Sequence, residues 1–242
     1  MLFKMKRSPQ LGLAFPPTWG GKRRGAGRPR KHGGRPGVPH LARPPLPARH
    51  PVHVTLRVRP DVASLRRRDG FLAVRRALAV VTRQRGFRIC HVSIQATHLH
   101  LIVEATNRHT LARGLQGFAI SFARQLNRQR GRRGAVFADR YHRSVLGSPR
   151  QVRAGLAYVL NNWRRHGEDR GASAALDPYA SGIGFDGWAA PQPTRLRPDQ
   201  EILPVAFPTC WLLTTGWRRH RLIPPDERPG PAARRRTAAI RR

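Results

Sequence analysis

Two strand-like runs joined by only three residues place the strongest limit on how this chain can fold. Residues 87–94, FRICHVSI, and residues 98–104, HLHLIVE, have the apolar and β-branched composition of buried strands, and Gln95-Ala96-Thr97 connects them. A connection this short forces antiparallel pairing, because a parallel crossover needs about a dozen residues or more. The sequence therefore predicts a β-hairpin at the centre of the folded region.

Helical and strand-like segments flank this hairpin. Residues 52–58, VHVTLRV, alternate as a strand does, whereas residues 61–84 and 107–127 carry apolar residues every three or four positions, as helices do. A fourth strand is expected within residues 137–146, and a third helix within 148–165. The order β-α-β-β-α-β-α predicts an α+β domain with a ferredoxin-like antiparallel sheet, helices on one face and the other face open.

Composition divides the chain into three parts. The 22 prolines and 23 glycines of this 242-residue chain are concentrated toward its two ends. We therefore expect a disordered, basic arm over residues 1–50, a folded domain over residues 51–170, and an irregular basic tail over residues 171–242.

The charge of the chain indicates a polyanionic partner. Its 47 basic residues against 12 acidic residues give a formal net charge of +35, which would repel itself in a compact state. DNA is favoured over a membrane, because no apolar run approaches the roughly 20 residues of a spanning helix. The two cysteines cannot build a disulfide framework or a zinc knuckle. We expect a cytoplasmic protein, associated with the nucleoid of a bacterial cell.

The arm contains a short segment that resembles an AT-hook. In Gly27-Arg28-Pro29-Arg30-Lys31 an extended Arg-Pro unit is flanked by basic residues that can contact phosphates beside a narrow minor groove. The other interpretation is a solvated basic linker. We expect Arg28, Arg30 and Lys31 to contact DNA.

The histidine pair of the second hairpin strand is a candidate metal site. Successive side chains of a strand point to opposite faces, so His98 and His100 lie on one face while Leu99 points to the other. Two neutral imidazoles can fix two positions around a divalent cation. A bare pair of this kind is also compatible with a solvated strand face.

The third helix carries two further candidates. Tyr158 and Asn162 are four residues apart and therefore share a helical face. A tyrosine hydroxyl can act as a covalent nucleophile, and an amide oxygen is an acceptable ligand for Mg²⁺ or Mn²⁺. Ordinary helix packing explains the same residues equally well.

Four segments together resemble a known family. They are PVHVTLRV at residues 51–58, HVSIQATHLHLIVEA at 91–105, VFADRYHR at 136–143 and AYVLNNW at 157–163. In order and spacing, the chain from about residue 49 to 165 is similar to the single-tyrosine HUH transposases of insertion sequences, and most of all to REP-associated tyrosine transposases. One departure follows the tyrosine: relatives often have Asn-Pro-Val-Arg-Ala-Gly, whereas this chain has NNWRRHG at residues 161–167.

The resemblance implies a function and a set of roles. His98, His100 and Asn162 would hold Mg²⁺ or Mn²⁺, and Tyr158 would cleave hairpin-bearing single-stranded DNA through a 5′-phosphotyrosine and then rejoin it. Tyr141 is the alternative nucleophile. The protein would be a transposase or a domesticated relative, acting as a monomer or homodimer. Arginines expected along the DNA path are Arg130, Arg132, Arg133, Arg140 and Arg143.

Two rival functions use the same fold. The protein could be a DNA-binding protein that no longer cuts, although the intact pattern of His98, His100, Tyr158 and Asn162 favours the enzyme. An RNA-binding ferredoxin-like domain would require exposed aromatic residues on the central strands, where this chain has histidine and aliphatic residues instead.

Overall fold

The computed structural model describes residues 44–81, 84–169, 176–190 and 201–230. The strands are β1 (Val52–Arg57), β2 (Phe87–Ile94), β3 (His98–Ala105) and β4 (His142–Val145). The helices are α1 (Arg68–Val81), α2 (Arg108–Gln129), α3 (Pro149–Leu160), α4 (Asn162–Arg165) and α5 (Trp211–Thr214). Two 3₁₀ turns, Ser181–Gly184 and Gly216–His220, lie in the C-terminal part.

The four strands form one antiparallel sheet in the order β2-β3-β1-β4. This order confirms the predicted ferredoxin-like arrangement, with the hairpin strands β2 and β3 adjacent and β1 paired to the far side of β3. The register places Thr55 opposite His100 and Arg57 opposite His98. These side chains therefore share one face of the sheet.

The first face of the sheet is covered by α1 and α2. Val54, Leu99 and Leu101 point to this face and are fully buried against apolar residues of the two helices. Asn107 caps α2 by accepting hydrogen bonds from the backbone N–H groups of His109 and Thr110. The alternation of β3 therefore buries its aliphatic residues here and directs its histidines to the opposite face.

The first helix begins later than its periodicity predicted. Residues 61–67 are not helical, because Leu65 is fully buried and its backbone N–H bonds the carbonyl of Ala96 in the hairpin turn. The helix starts at Arg68, and Gly70 permits a close approach, since a Cβ there would lie 2.1 Å from the carbonyl oxygen of Leu65. A tertiary contact thus replaces the first two predicted turns.

The fourth strand and third helix are also shorter than predicted. Only His142–Val145 forms the strand, and Phe137 contributes one isolated bridge to Val58. The third helix is interrupted at Asn161, after which α4 adds one further turn.

The second face is covered by α3 and the C-terminal segments. Ile102 and Cys90 point to it and pack with a separate apolar cluster that includes Leu156, Trp188 and Trp217. Within the described residues, both faces of the sheet are therefore covered. The candidate site lies on the second face, beside the two histidines of β3. None of the described helices is long and apolar enough to cross a membrane.

Candidate active site

His98 and His100 point toward each other on the second face of β3. Their Nε2 atoms are 2.9 Å apart, and their rings are nearly perpendicular, with 85° between the planes. His100 is buried, whereas His98 is partly exposed. The two imidazoles of the predicted pair therefore point to one place, and the imidazole of His98 is partly exposed to solvent.

Two threonine hydroxyl groups contact the Nδ1 atoms of the histidine rings, the ring nitrogens that do not face each other. Nδ1 of His98 lies 3.2 Å from Oγ1 of Thr97, and Nδ1 of His100 lies 3.2 Å from Oγ1 of Thr55 and 3.1 Å from Nε2 of His53. A proton on each Nδ1 can be donated to these atoms, which leaves the lone pair of each Nε2 free to bind a cation. The neighbours on β1 and in the hairpin turn thus fix both ring orientations.

Tyr158 reaches this pair from α3. Its ring lies edge-on to His100, with centroids 5.1 Å apart, and edge-on to His53 at 5.5 Å. The guanidinium carbon of Arg165 lies 5.9 Å from the centroid of the same ring. The structure therefore brings the predicted nucleophile and the predicted metal ligands together, and adds a cation beside the phenol ring.

Asn162 lies one turn beyond Tyr158 and is fully buried. Neither its Oδ1 nor its Nδ2 has a hydrogen-bond partner among the described residues. Four residues further on, His166 contacts His98, with ring centroids 5.9 Å apart. Asn162 therefore lies, in sequence, between two residues that contact the histidine pair, and its amide makes no hydrogen bond within the described residues.

The histidines of the site are neutral at physiological pH. Burial lowers the pKa of His100 to about 2, with smaller contributions from His98, His53 and His166. Burial also lowers the pKa of His98 to about 4, aided by His166 and Arg57, and that of His53 to about 4, aided by His142. Neutral imidazole is the form that binds metal.

The donor set suits one hard divalent cation. Two nitrogens bound at right angles to Mg²⁺ at roughly 2.1 Å would be about 3 Å apart, close to the 2.9 Å between the two Nε2 atoms. The amide of Asn162, which has no hydrogen-bond partner among the described residues, is of a type that can offer an oxygen ligand to such a cation. Across the described ranges, no three His, Cys, Asp or Glu side chains form a metal-binding group.

Two of the arginines expected along the DNA path make internal contacts. The guanidinium of Arg130 binds Asp69 at 2.8 Å and the backbone carbonyls of residues 63–64, and only 11% of its side chain is exposed. Arg132 pairs with Asp61 at 3.1 Å. Both arginines hold the loop after α2 against the start of α1.

The remaining predicted arginines differ in exposure. Arg133 and Arg140 are exposed, whereas Arg143 is half-buried and donates to the carbonyl of Pro44. Arg28, Arg30 and Lys31 of the AT-hook-like segment lie outside the described residues. Tyr141, the alternative nucleophile, is half-buried and packs against the apolar cluster of the first face.

Sequence reasoning gave no role to His53 or His166. The sequence did contain one indication of the first: His53 and Thr55 alternate with the apolar residues of 52–58, so they had to share a face. That this face lies beside His100 follows from the pairing of β1 with β3. His166 follows Asn162 by four residues, the same spacing that separates Asn162 from Tyr158.

Comparisons with known proteins reveal distant similarity to solved structures. No protein family model matches this chain. No curated protein matches it. Among solved structures, it is similar to a REP-associated tyrosine transposase bound to a REP hairpin, with 16% sequence identity and a TM-score of 0.48. The match covers 60% of this chain and 82% of the other.

Proposed function

We propose that this protein is a metal-dependent DNA transposase that cleaves and rejoins hairpin-bearing single-stranded DNA through Tyr158. The observation that carries the proposal is the contact of the Tyr158 ring with His100, whose Nε2 faces that of His98. A phenol beside two neutral imidazoles, with a buried unpartnered amide on the helical turn that follows the phenol, is a set of groups suited to metal-assisted transesterification.

The chemistry of the step assigns a role to each group. Oη of Tyr158 forms a bond to phosphorus while the bond to the 3′ oxygen breaks, and the proton lost by the phenol is balanced by protonation of that oxygen, so the products are a 5′-phosphotyrosine and a 3′-hydroxyl. A divalent cation held by His98, His100 and Asn162 would stabilise negative charge on the non-bridging oxygens. Attack of a 3′-hydroxyl on the phosphotyrosine reverses the step and joins new ends.

DNA as partner is supported by charge. The chain has a formal net charge of +35, and Arg133 is exposed at the surface, where its guanidinium group can contact phosphates. The exposed Arg165 is next to Tyr158, where it can contact the scissile phosphate or its neighbour.

The proposal is tested by trapping the covalent intermediate. Single strands bearing hairpins, labelled at either end, are incubated with the protein and Mg²⁺ or Mn²⁺ and separated on denaturing gels. We expect an adduct that retains the 3′ label and requires the metal. Tyr158→Phe should abolish it, whereas Tyr141→Phe and Tyr179→Phe, the other two tyrosines of the chain, should retain it.

Two results would contradict the proposal. An adduct that persists in Tyr158→Phe and disappears in Tyr141→Phe would move the nucleophile to the alternative tyrosine. Tight binding of a broad hairpin pool without any adduct would instead favour the DNA-binding protein that no longer cuts.

A further inference from the structure

An exposed aromatic surface lies in the C-terminal part of the chain. Phe207 is 89% exposed and Trp211 is 48% exposed. They are the aromatic residues among the large hydrophobic residues that are exposed in the described ranges. The Trp211 ring lies against Gly216, where a Cβ would come within 2.7 Å of it. The six-membered ring of the indole is thus held against the backbone of Gly216, and about half of Trp211 stays exposed.

Arginines accompany these aromatic residues. The guanidinium carbon of Arg219 lies 5.0 Å from the centroid of the Trp211 ring, and a guanidinium nitrogen of Arg88 lies 3.3 Å from Oγ1 of Thr209. We call Arg88, Phe207, Trp211 and Arg219 the tail platform. Exposed aromatic rings interleaved with arginines are the combination that binds single-stranded nucleic acid, because bases stack on the rings while guanidinium groups contact phosphates.

Buried contacts fix the backbone of the tail platform. The carboxylate of Glu104 accepts hydrogen bonds from the backbone N–H groups of Thr209 and Cys210, and Ala206 donates its N–H to the carbonyl of Ile89. Phe207 and Trp211 therefore project from a segment anchored to β2 and β3. A rigid platform loses little conformational entropy on binding, which favours affinity.

The local charge favours a polyanion over an apolar protein partner. Glu104 is buried, so its carboxylate is largely shielded from the surface. Asp186, the exposed carboxylate nearby, pairs with Arg218 at 2.7 Å. No carboxylate in the described ranges pairs with Arg219. Glu104 pairs with Arg88 at 3.8 Å, so the excess positive charge of the tail platform comes from Arg219.

We infer that the tail platform is a binding subsite for single-stranded DNA, where bases stack on Phe207 and Trp211. This inference rests on the proposed function for its ligand, the strand held at Tyr158. Glu104, which anchors the tail platform, is four residues from His100 on the same face of β3, a distance of about 13 Å along the strand. A few nucleotides can span it.

The test measures binding of labelled oligothymidylate by fluorescence anisotropy. Phe207→Ala should weaken binding about 5- to 100-fold, the range found for loss of one stacked base. Because salt does not screen stacking, the ratio of the Phe207→Ala dissociation constant to the wild-type constant should persist at high salt. The loss of affinity caused by Arg219→Gln should become smaller at high salt, because salt screens its charge. Ile120→Ala, which removes an exposed aliphatic side chain from α2, is the matched control and should bind like wild type.

The outcomes separate this inference from the proposed function. If wild type forms the covalent adduct while Phe207→Ala binds oligothymidylate normally, the subsite is wrong and the active site stands. If no adduct forms yet Phe207→Ala binds more weakly, the subsite stands without the cleavage chemistry. An equal loss on duplex DNA, or conversion of a wild-type dimer to a monomer by Phe207→Ala, would overturn the inference.

Discussion

The ring of Tyr158 stands nearly perpendicular to the ring of His100, with centroids 5.1 Å apart and 81° between the planes. The tyrosine comes from α3 and the histidine from the central strand β3, both of the same chain. A single chain therefore brings the proposed nucleophile into contact with one of the proposed metal ligands. The predictions that follow test the parts of this arrangement separately.

The threonine hydroxyls should set the metal affinity of the histidine pair. Thr55 and Thr97 contact Nδ1 of His100 and His98, respectively, so Thr55→Val and Thr97→Val remove partners that orient the rings. Loss of such partners costs about 10- to 100-fold in metal affinity. We expect weakening of that size in Mn²⁺ titrations followed by electron paramagnetic resonance. Thr55→Ser should retain affinity, and unchanged affinity in both valine variants would contradict this assignment.

The side chain of Asn162 should lower the free energy of unfolding without metal and raise it when metal is bound. Its buried amide has no partner among the described residues, so Asn162→Leu removes an uncompensated polar group. We expect the free energy of unfolding without metal to stay equal or rise by up to about 2 kcal/mol in urea titrations.

The same variant should lose the stabilisation that Mn²⁺ gives to wild type. A residue that only packs would leave that stabilisation intact, because a ligand stabilises only the state to which it binds. Asn162→Leu with undiminished Mn²⁺ stabilisation would therefore remove Asn162 from the ligand set.

Acid should destabilise the fold through His91. Burial lowers the pKa of this histidine from 6.5 to about 4, while Asp186 acts in the opposite direction. Between those two pH values the unfolded chain binds more protons than the folded chain, so stability falls as pH falls. The loss attributable to His91 is about 3 kcal/mol at pH 4.

Urea unfolding of His91→Gln measures this contribution. The variant should lose less stability than wild type between pH 6.5 and 4, whereas His109→Gln, at an exposed position on α2, should follow the wild-type curve. Identical slopes for His91→Gln and wild type would show that the buried histidine does not control acid stability.

A buried ion pair should be critical beside the active-site helix. Arg164 pairs with Asp169 at 3.1 Å and donates through Nε to the carbonyl of Pro225, with both side chains almost fully buried. Asp169→Ala leaves a buried guanidinium without this carboxylate and should cost about 3–5 kcal/mol in urea unfolding.

The exposed Arg59–Asp61 pair provides the control. Arg59→Ala should leave the unfolding curve nearly unchanged, because solvent screens this exposed pair and Asp61 keeps its contact with Arg132. The double variant Arg164→Met/Asp169→Leu should recover much of the loss, since it removes both charges together. Failure of Asp169→Ala to destabilise the protein would mean that water or another group satisfies Arg164.

Sequence patterns predicted local features well and tertiary contacts less well. The hairpin, its strand boundaries and the order of the elements followed from alternation, helical periodicity and a three-residue turn, and the sheet confirms them. The start of α1 was wrong because Leu65 binds the hairpin turn, a contact that periodicity cannot contain. The roles of His98, His100, Tyr158 and Asn162 remain predictions, now supported by their placement around one site.

The sequence by itself determined that His98 and His100 share a face, because the two-residue repeat of a strand is a local property of the backbone. Only the tertiary structure decided that His53 and Thr55 lie beside His100, that Tyr158 reaches it from α3, and that Arg130 binds Asp69 within the fold. Register and helix crossing depend on the packing of many side chains that are distant in sequence. No short pattern encodes that packing.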